Sequence, residues 1–405
     1  MLRDPNETSG PSPPGRLVHI DMLRAVAAGL VFGGHLRAYL FVDYGSVGDP
    51  GLLTTAFYGL TGLGHQAVIV FFAISGFLVG GKALHDMLSE QWSWPRYILR
   101  RLIRLWIVII PALTTTVIVD YIGAGLTAGR GYDGSLYSLY LSGPSLDRPL
   151  DHSLSTFLGN IAFLQTVYVP AFGTNGPIWS LANEFWYYLI FPLGASIFLV
   201  GYRMWQRFLA IGLIALAIFA LPWSLLELGA VWAAGAAAAL VGQAPNLAPI
   251  FRHYGVRAAA ILAAVCALVA TKYSMELISA DLIFGLAIAF VLPVLATAQS
   301  FGKLYRFSAR WGAEISYTLY LTHFPILSLI VLVLFAPDRF HPGLTGGIVY
   351  GGLFGLAFSW AVAFWWCFER HTNRLFQYLA SRILLGSEKS PASAHASRPL
   401  MRVRS

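Results

Sequence analysis

Residues Leu17–Val42 read LVHIDMLRAVAAGLVFGGHLRAYLFV. The stretch is longer than the roughly 20 apolar residues that cross a bilayer as a helix, yet it carries Arg24 and His35 in its interior. An ionisable side chain at that depth costs at least about 2.5 kcal/mol, so it marks a functional site by default. Eleven positions separate the two residues, which is three helical turns plus about 20° and places them on one face, roughly 16 Å apart along the axis. A site that handles something long, with charge at one end, has this form.

Working outward, the 405-residue chain is 57% hydrophobic and only 11% charged, far from the half-apolar, quarter-charged composition of soluble domains. The composition predicts an all-α, polytopic integral membrane protein. No basic n-region and short apolar core precede Leu17, so the first span is expected to remain in the mature protein. Cys266 and Cys367 lie in apolar runs without metal-ligand or disulfide spacing and are read as packing residues; no metal is expected. The net charge of +8 lies in short loops between apolar segments, so positive-inside topology accounts for it and no nucleic-acid partner is expected.

Spans are predicted at about 18–42, 59–80, 103–123, 178–200, 208–223, 225–241, 257–272, 280–300, 313–336 and 345–367. The basic loops, including Lys82, Arg96, Arg100, Arg101 and Arg104, can share one side only if the further apolar segment Leu154–Val169 does not cross. About ten transmembrane helices around a polar central cavity follow, with both termini cytoplasmic in a cell (inner or plasma) membrane. The expected organisation is a cytoplasmic tail at 1–16, a membrane domain at 17–370, and an interfacial helix with a disordered basic tail at 371–405.

Other polar groups fall inside spans. Trp179-Ser180-Leu181-Ala182-Asn183-Glu184 places Glu184 one to two turns below the outer surface, at a depth compatible with His35; a carboxylate there could fix an imidazole tautomer. His323 sits near mid-depth in YTLYLTHFP, Ser75 closes the second span in FFAISGF, and Arg100, Arg101 and Arg104 open the third. Each has a bland alternative: a snorkelling Arg24, a helix-bridging Glu184, a topology-setting arginine cluster, and Ser75 as a close-packing contact. Arg, His, His and Glu in separate spans together point to a functional polar cavity.

Arg-x10-His (Arg24 to His35), FFAISGFL (71–78), RRLIRL (100–105), WSLANEFWYY (179–188) and ISYTLYLTHFP (315–325) occur in the order seen in the acyltransferase family 3 membrane proteins, which the chain resembles from about Val18 to Arg370. The resemblance implies an integral membrane O-acyltransferase that moves an acyl group, usually acetyl, from cytoplasmic acyl-coenzyme A (acetyl-CoA) to a hydroxyl of a cell-surface or exported carbohydrate. It marks Arg24 and His35 as essential, together with Ser75-Gly76-Phe77, Arg100, Arg101, Arg104, Trp179, Ser180 and Glu184. Family members often end in Glu-Arg-Pro or Glu-Lys-Pro, whereas Glu369-Arg370 is followed here by His371, which leaves the role of that end in doubt. On this reading Arg100, Arg101 and Arg104 hold phosphates, with Arg24 and Ser75 further along the donor path. The donor arm runs towards His35 as general base, Glu184 orients His35 or the acceptor, and His323 lines the channel or binds the carbonyl oxygen. Trp179, Trp186, Tyr187 and Tyr320 offer faces for a sugar, unless they are interfacial anchors. The rival class is a transporter or permease of a sugar-like or small anionic solute.

Overall fold

A computed structural model describes residues 17–384 except 141–144, 146, 148, 274–276 and 300; of 138, 139 and 272–279 it describes the backbone alone where it describes anything. The tails expected at 1–16 and beyond 384 lie outside the described residues. The helices are α1 (Val18–Leu40), α2 (Leu52–Thr61), α3 (Gly64–Leu88, with a π-helical turn at Gly76–Gly80), α4 (Trp94–Thr127), α5 (Leu154–Ile161), α6 (Trp179–Phe198), α7 (Met204–Ala220), α8 (Trp223–Gln243), α9 (Tyr254–Tyr273), α10 (Leu277–Thr297), α11 (Lys303–Leu334), α12 (Leu344–Cys367) and α13 (Thr372–Ile383). No strand is present among the described residues, so the fold is all-α.

Seven of the described helices are long and apolar enough to cross a membrane, and the expected ten is not confirmed. The three that fall outside the seven are α1, α6 and α7. Asp21, Arg24, His35 and Arg37 lower the apolarity of α1, Asn183 and Glu184 do the same for α6, and α7 has only 17 residues. Two of the three are thus helices that carry the polar residues of the site. The ambiguous 154–169 segment folds as α5, which at eight residues is too short to span. Its start is fixed by Ser153, whose hydroxyl accepts the Thr156 N–H. Cys266 and Cys367 are exposed on helix surfaces, which corrects their reading as packing residues; an apolar segment satisfies lipid as readily as core.

Helix α1 packs along α11 over much of its length. Arg24 meets Ala313 and Ser316, and His35 meets His323, so the two helices run parallel and carry the sequence spacing of α1 onto α11. A second close seam joins α3 to α8. A Cβ on Gly76 would collide with the Trp232 backbone, and one on Gly235 with the Ala73 carbonyl. Small residues on both sides let the helices approach to backbone contact. At the end of the bundle bearing Arg96 and Arg100, α13 lies against α4, with Phe376 buried beneath the Arg100 guanidinium at 4.1 Å.

Candidate functional site

Pro325 organises the centre of the site. It has no N–H and so leaves the Leu321 carbonyl, four residues earlier, without its helical donor. Asn175 supplies the missing bond, its Nδ2 donating to Leu321 O at 2.9 Å. Asp120 of α4 steadies the same loop, accepting from Thr174 N at 2.8 Å, Thr174 Oγ1 at 2.6 Å and His152 Nε2 at 2.8 Å. The 3-10 turn Gly176–Ile178 and Trp179, the first residue of α6, are thereby pinned over α11.

Two residues before Pro325, His323 Nδ1 faces the Leu319 and Tyr320 carbonyls at 2.9 Å each. A carbonyl can only accept, so Nδ1 carries the proton and Nε2 is a lone pair. His35 Nδ1 lies 2.9 Å from that lone pair and must donate to it, which leaves His35 Nε2 as an unprotonated base. Phe32 packs edge-on to His323, and Phe324 to His35.

Three cavities follow one another along the bundle. The first, about 350 Å³, lies among Lys82, Arg96, Tyr97, Arg100 and Arg101. The second, about 230 Å³, is lined by Arg24, Ser75, Arg101, Arg104, Ser180, Glu184 and Tyr320, with apolar residues between them. The third, about 270 Å³, holds His35, His65, Trp179 and Tyr320. Val79 and Arg101 wall both the first and second, and Val68 and Tyr320 wall both the second and third. The Tyr320 hydroxyl donates to Pro177 O and accepts from Ser180 Oγ, both at 2.8 Å, so this tyrosine is a fixed partition.

In the middle cavity Arg24 Nε donates to Ser316 Oγ at 3.0 Å and its Nη2 to the Ala313 carbonyl. Arg104 pairs with buried Glu369, which also accepts from Thr318 Oγ1 at 2.5 Å. The Glu-Arg end of the last span therefore has a structural role here even though His371 replaces proline. Arg101 makes no carboxylate pair among the described residues and stands over the rings of Tyr97 and Tyr188. Trp232 Nε1 donates to Ser75 Oγ at 3.1 Å, and Ser75 donates to Glu184 Oε1 at 2.7 Å.

That last contact corrects one expectation. Glu184 is not joined to His35; its partners are Ser75 and Tyr188. Five residues beyond Trp179 along α6 amount to about 7.5 Å, enough to move Glu184 from the cavity of His35 into the next. The tautomer-fixing partner of His35 is His323. Two aromatic residues are structural: Tyr187 is buried and donates to Leu225 O at 2.7 Å, and Trp186 Nε1 donates to Phe163 O at 3.2 Å. Trp179 keeps its place at a cavity wall. Asn175, Asp120, Thr318 and His65 were missed by sequence reading. A lone acid inside the third span was the available signal for Asp120, whereas nothing in sequence couples Asn175 to Pro325.

A family model described as an acyltransferase domain matches residues 17–367. The chain belongs to acyltransferase family 3. A Haemophilus influenzae protein described as "Uncharacterized protein" is 27% identical to this acyltransferase-family chain over 155 residues, 37% of this chain and 56% of the other. The chain thus spans little more than half the length of that curated relative. No solved structure matches. The family match places Arg24, His35 and the motifs around Ser75, Arg101 and Ser180 in one domain, and the geometry gives that domain three successive cavities that share wall residues.

Proposed function

We propose that this acyltransferase-family protein transfers an acyl group, acetyl in the simplest case, from acyl-coenzyme A to a hydroxyl of a carbohydrate acceptor. The observation that carries the reading is the row of three cavities, cationic at one end and ending on a His35 whose Nε2 is an unprotonated base. Polyanionic donors suit the end formed by Lys82, Arg96 and Arg100, on the cytoplasmic side if the basic loops follow the positive-inside rule. The middle cavity takes the extended pantetheine arm beside Arg24 and Arg104. The thioester reaches His35 past Tyr320, whose two hydrogen bonds must open.

In the transfer step the acceptor oxygen attacks the thioester carbonyl while His35 Nε2 removes the hydroxyl proton. The carbon–sulfur bond then breaks, and the proton passes from His35 to the leaving thiolate, so the step consumes no net proton. His323 holds the His35 tautomer throughout. Loss of a positioned base costs about 10²–10⁴ in rate.

The test is coenzyme A release from acetyl-CoA by purified protein in nanodiscs, with a panel of glycosides, alongside mass spectrometry of surface glycans from cells with and without the gene. His35→Ala is expected to lose transfer at unchanged expression. A His35→Ala protein as active as the wild type overturns the reading. Solute uptake into proteoliposomes without coenzyme A release favours the transporter class instead.

A further inference from the structure

The cavity of His35 contains a second imidazole. His65, the second residue of α3, lines it together with Trp179 and His35. Its Nε2 lies 2.5 Å from Asp281 Oδ2 on α10, and the side chains of His65 and Asp281 are 42% and 8% exposed. A carboxylate bound to one ring nitrogen fixes the ring's orientation and leaves Nδ1 as its remaining polar atom.

The asymmetry in exposure is informative. The contact ties α3 to α10 and still leaves the imidazole accessible. Here the carboxylate is sunk between helices, its Oδ1 has no hydrogen-bond partner, and the imidazole is offered to the cavity. Several other walls, including Val31, Val68 and Phe324, are apolar, and the Tyr320 hydroxyl is committed to Ser180 and Pro177. His35 and His65 are therefore side chains through which the cavity can address a polar ligand, and Trp179 gives it an aromatic wall. A volume of about 270 Å³ lies close to the lower end, about 300 Å³, of small-molecule pockets.

We propose that His65, held by Asp281, binds the acceptor: its Nδ1 takes a hydrogen bond from a hydroxyl neighbouring the one that His35 deprotonates, with the acceptor ring against Trp179. The role is binding, because transfer to a hydroxyl needs one base and the proton returns to the thiolate. The acceptor class is neutral and polyhydroxylated. Asp281 and the nearby Glu227, which acts on it electrostatically, make the space behind His65 unfavourable to an anion. The assignment rests on the acyl-transfer reading for the reaction but not for the binding.

The experiment uses the full chain in nanodiscs and two readouts: equilibrium dialysis with radiolabelled methyl β-glucoside, and coenzyme A release from acetyl-CoA with the same glycoside. Wild type should bind saturably, and His65→Ala should bind about tenfold more weakly, the scale of one lost hydrogen bond. His65→Gln, whose carboxamide oxygen accepts, should recover most of the binding. The glycoside KM should rise in parallel while the acetyl-CoA KM stays within about twofold, a split that a merely structural role would not give. Should His65→Ala fail to fold, His65→Phe keeps a ring without polar atoms and serves in its place. Absence of saturable glucoside binding by the wild type, undiminished binding by the His65 variants, or tighter binding of methyl glucuronide each overturns the assignment. Binding without any coenzyme A release strikes the transfer reading and leaves His65 standing; release with unchanged binding in the variants does the reverse.

Discussion

Replacing His323 tests the imidazole pair most directly. In the native arrangement the Leu319 and Tyr320 carbonyls hold the Nδ1 proton of His323, and its Nε2 accepts from His35. His323→Leu keeps much of the volume and removes the acceptor. The site is buried, with Phe32 and Phe324 against the rings, so water does not take its place. The productive His35 tautomer then carries an orphaned buried N–H, which costs about 1–3 kcal/mol. The ring can avoid that cost by moving its proton to Nε2, but it then loses the base. At about 1.36 kcal/mol per tenfold in rate, kcat should fall about 5- to 150-fold.

His323→Gln restores an oxygen acceptor and should recover most of this loss. The assay is thiol release from acetyl-CoA in nanodiscs with saturating acceptor, with thermal unfolding measured on each variant. The acetyl-CoA KM should change less than about twofold, because the arginines proposed to hold the donor line other cavities. A His323→Leu enzyme with wild-type kcat, or leucine and glutamine variants equally impaired at equal stability, would refute the reasoning.

Two further expectations concern stability. Glu369→Ala leaves the Arg104 guanidinium without its carboxylate and Thr318 Oγ1 without its acceptor, so the variant should lose about 3–5 kcal/mol; a lowered midpoint in detergent-solubilised thermal unfolding checks it, and Glu369→Gln should lose less. Asn175→Leu strips the Leu321 carbonyl of its replacement donor at a cost of about 1–3 kcal/mol and frees the Gly176–Ile178 turn, so proteolysis between α5 and α6 should quicken; an unchanged cleavage rate would show that Asp120 alone holds the loop.

The extent to which sequence revealed the site differs from residue to residue. Arg24 and His35 were legible because a charge in an apolar helix is conspicuous, and helical spacing alone put them on one face. Arg101 and Arg104 were legible as a cluster in a basic loop. The Glu184–His35 pairing failed because depth read from sequence is coarser than the about 7.5 Å along α6 that carries Glu184 from the cavity of His35 into the next. Ser75 was seen, but its two partners come from α6 and α8, more than 100 residues away. His65 was invisible for the same reason, since its meaning depends on Asp281, 216 positions further along the chain.

By itself the sequence determined the solvent of this protein, its helical class and the polar positions that lipid cannot tolerate, because apolar length and the cost of buried charge are one-dimensional properties of a segment. Tertiary structure decided which polar groups face one another: His323 rather than Glu184 behind His35, Glu369 beneath Arg104, Asn175 on the carbonyl that Pro325 leaves open. Those pairings depend on helix rotation and on backbone approach at Gly76 and Gly235, which are set only when the helices pack.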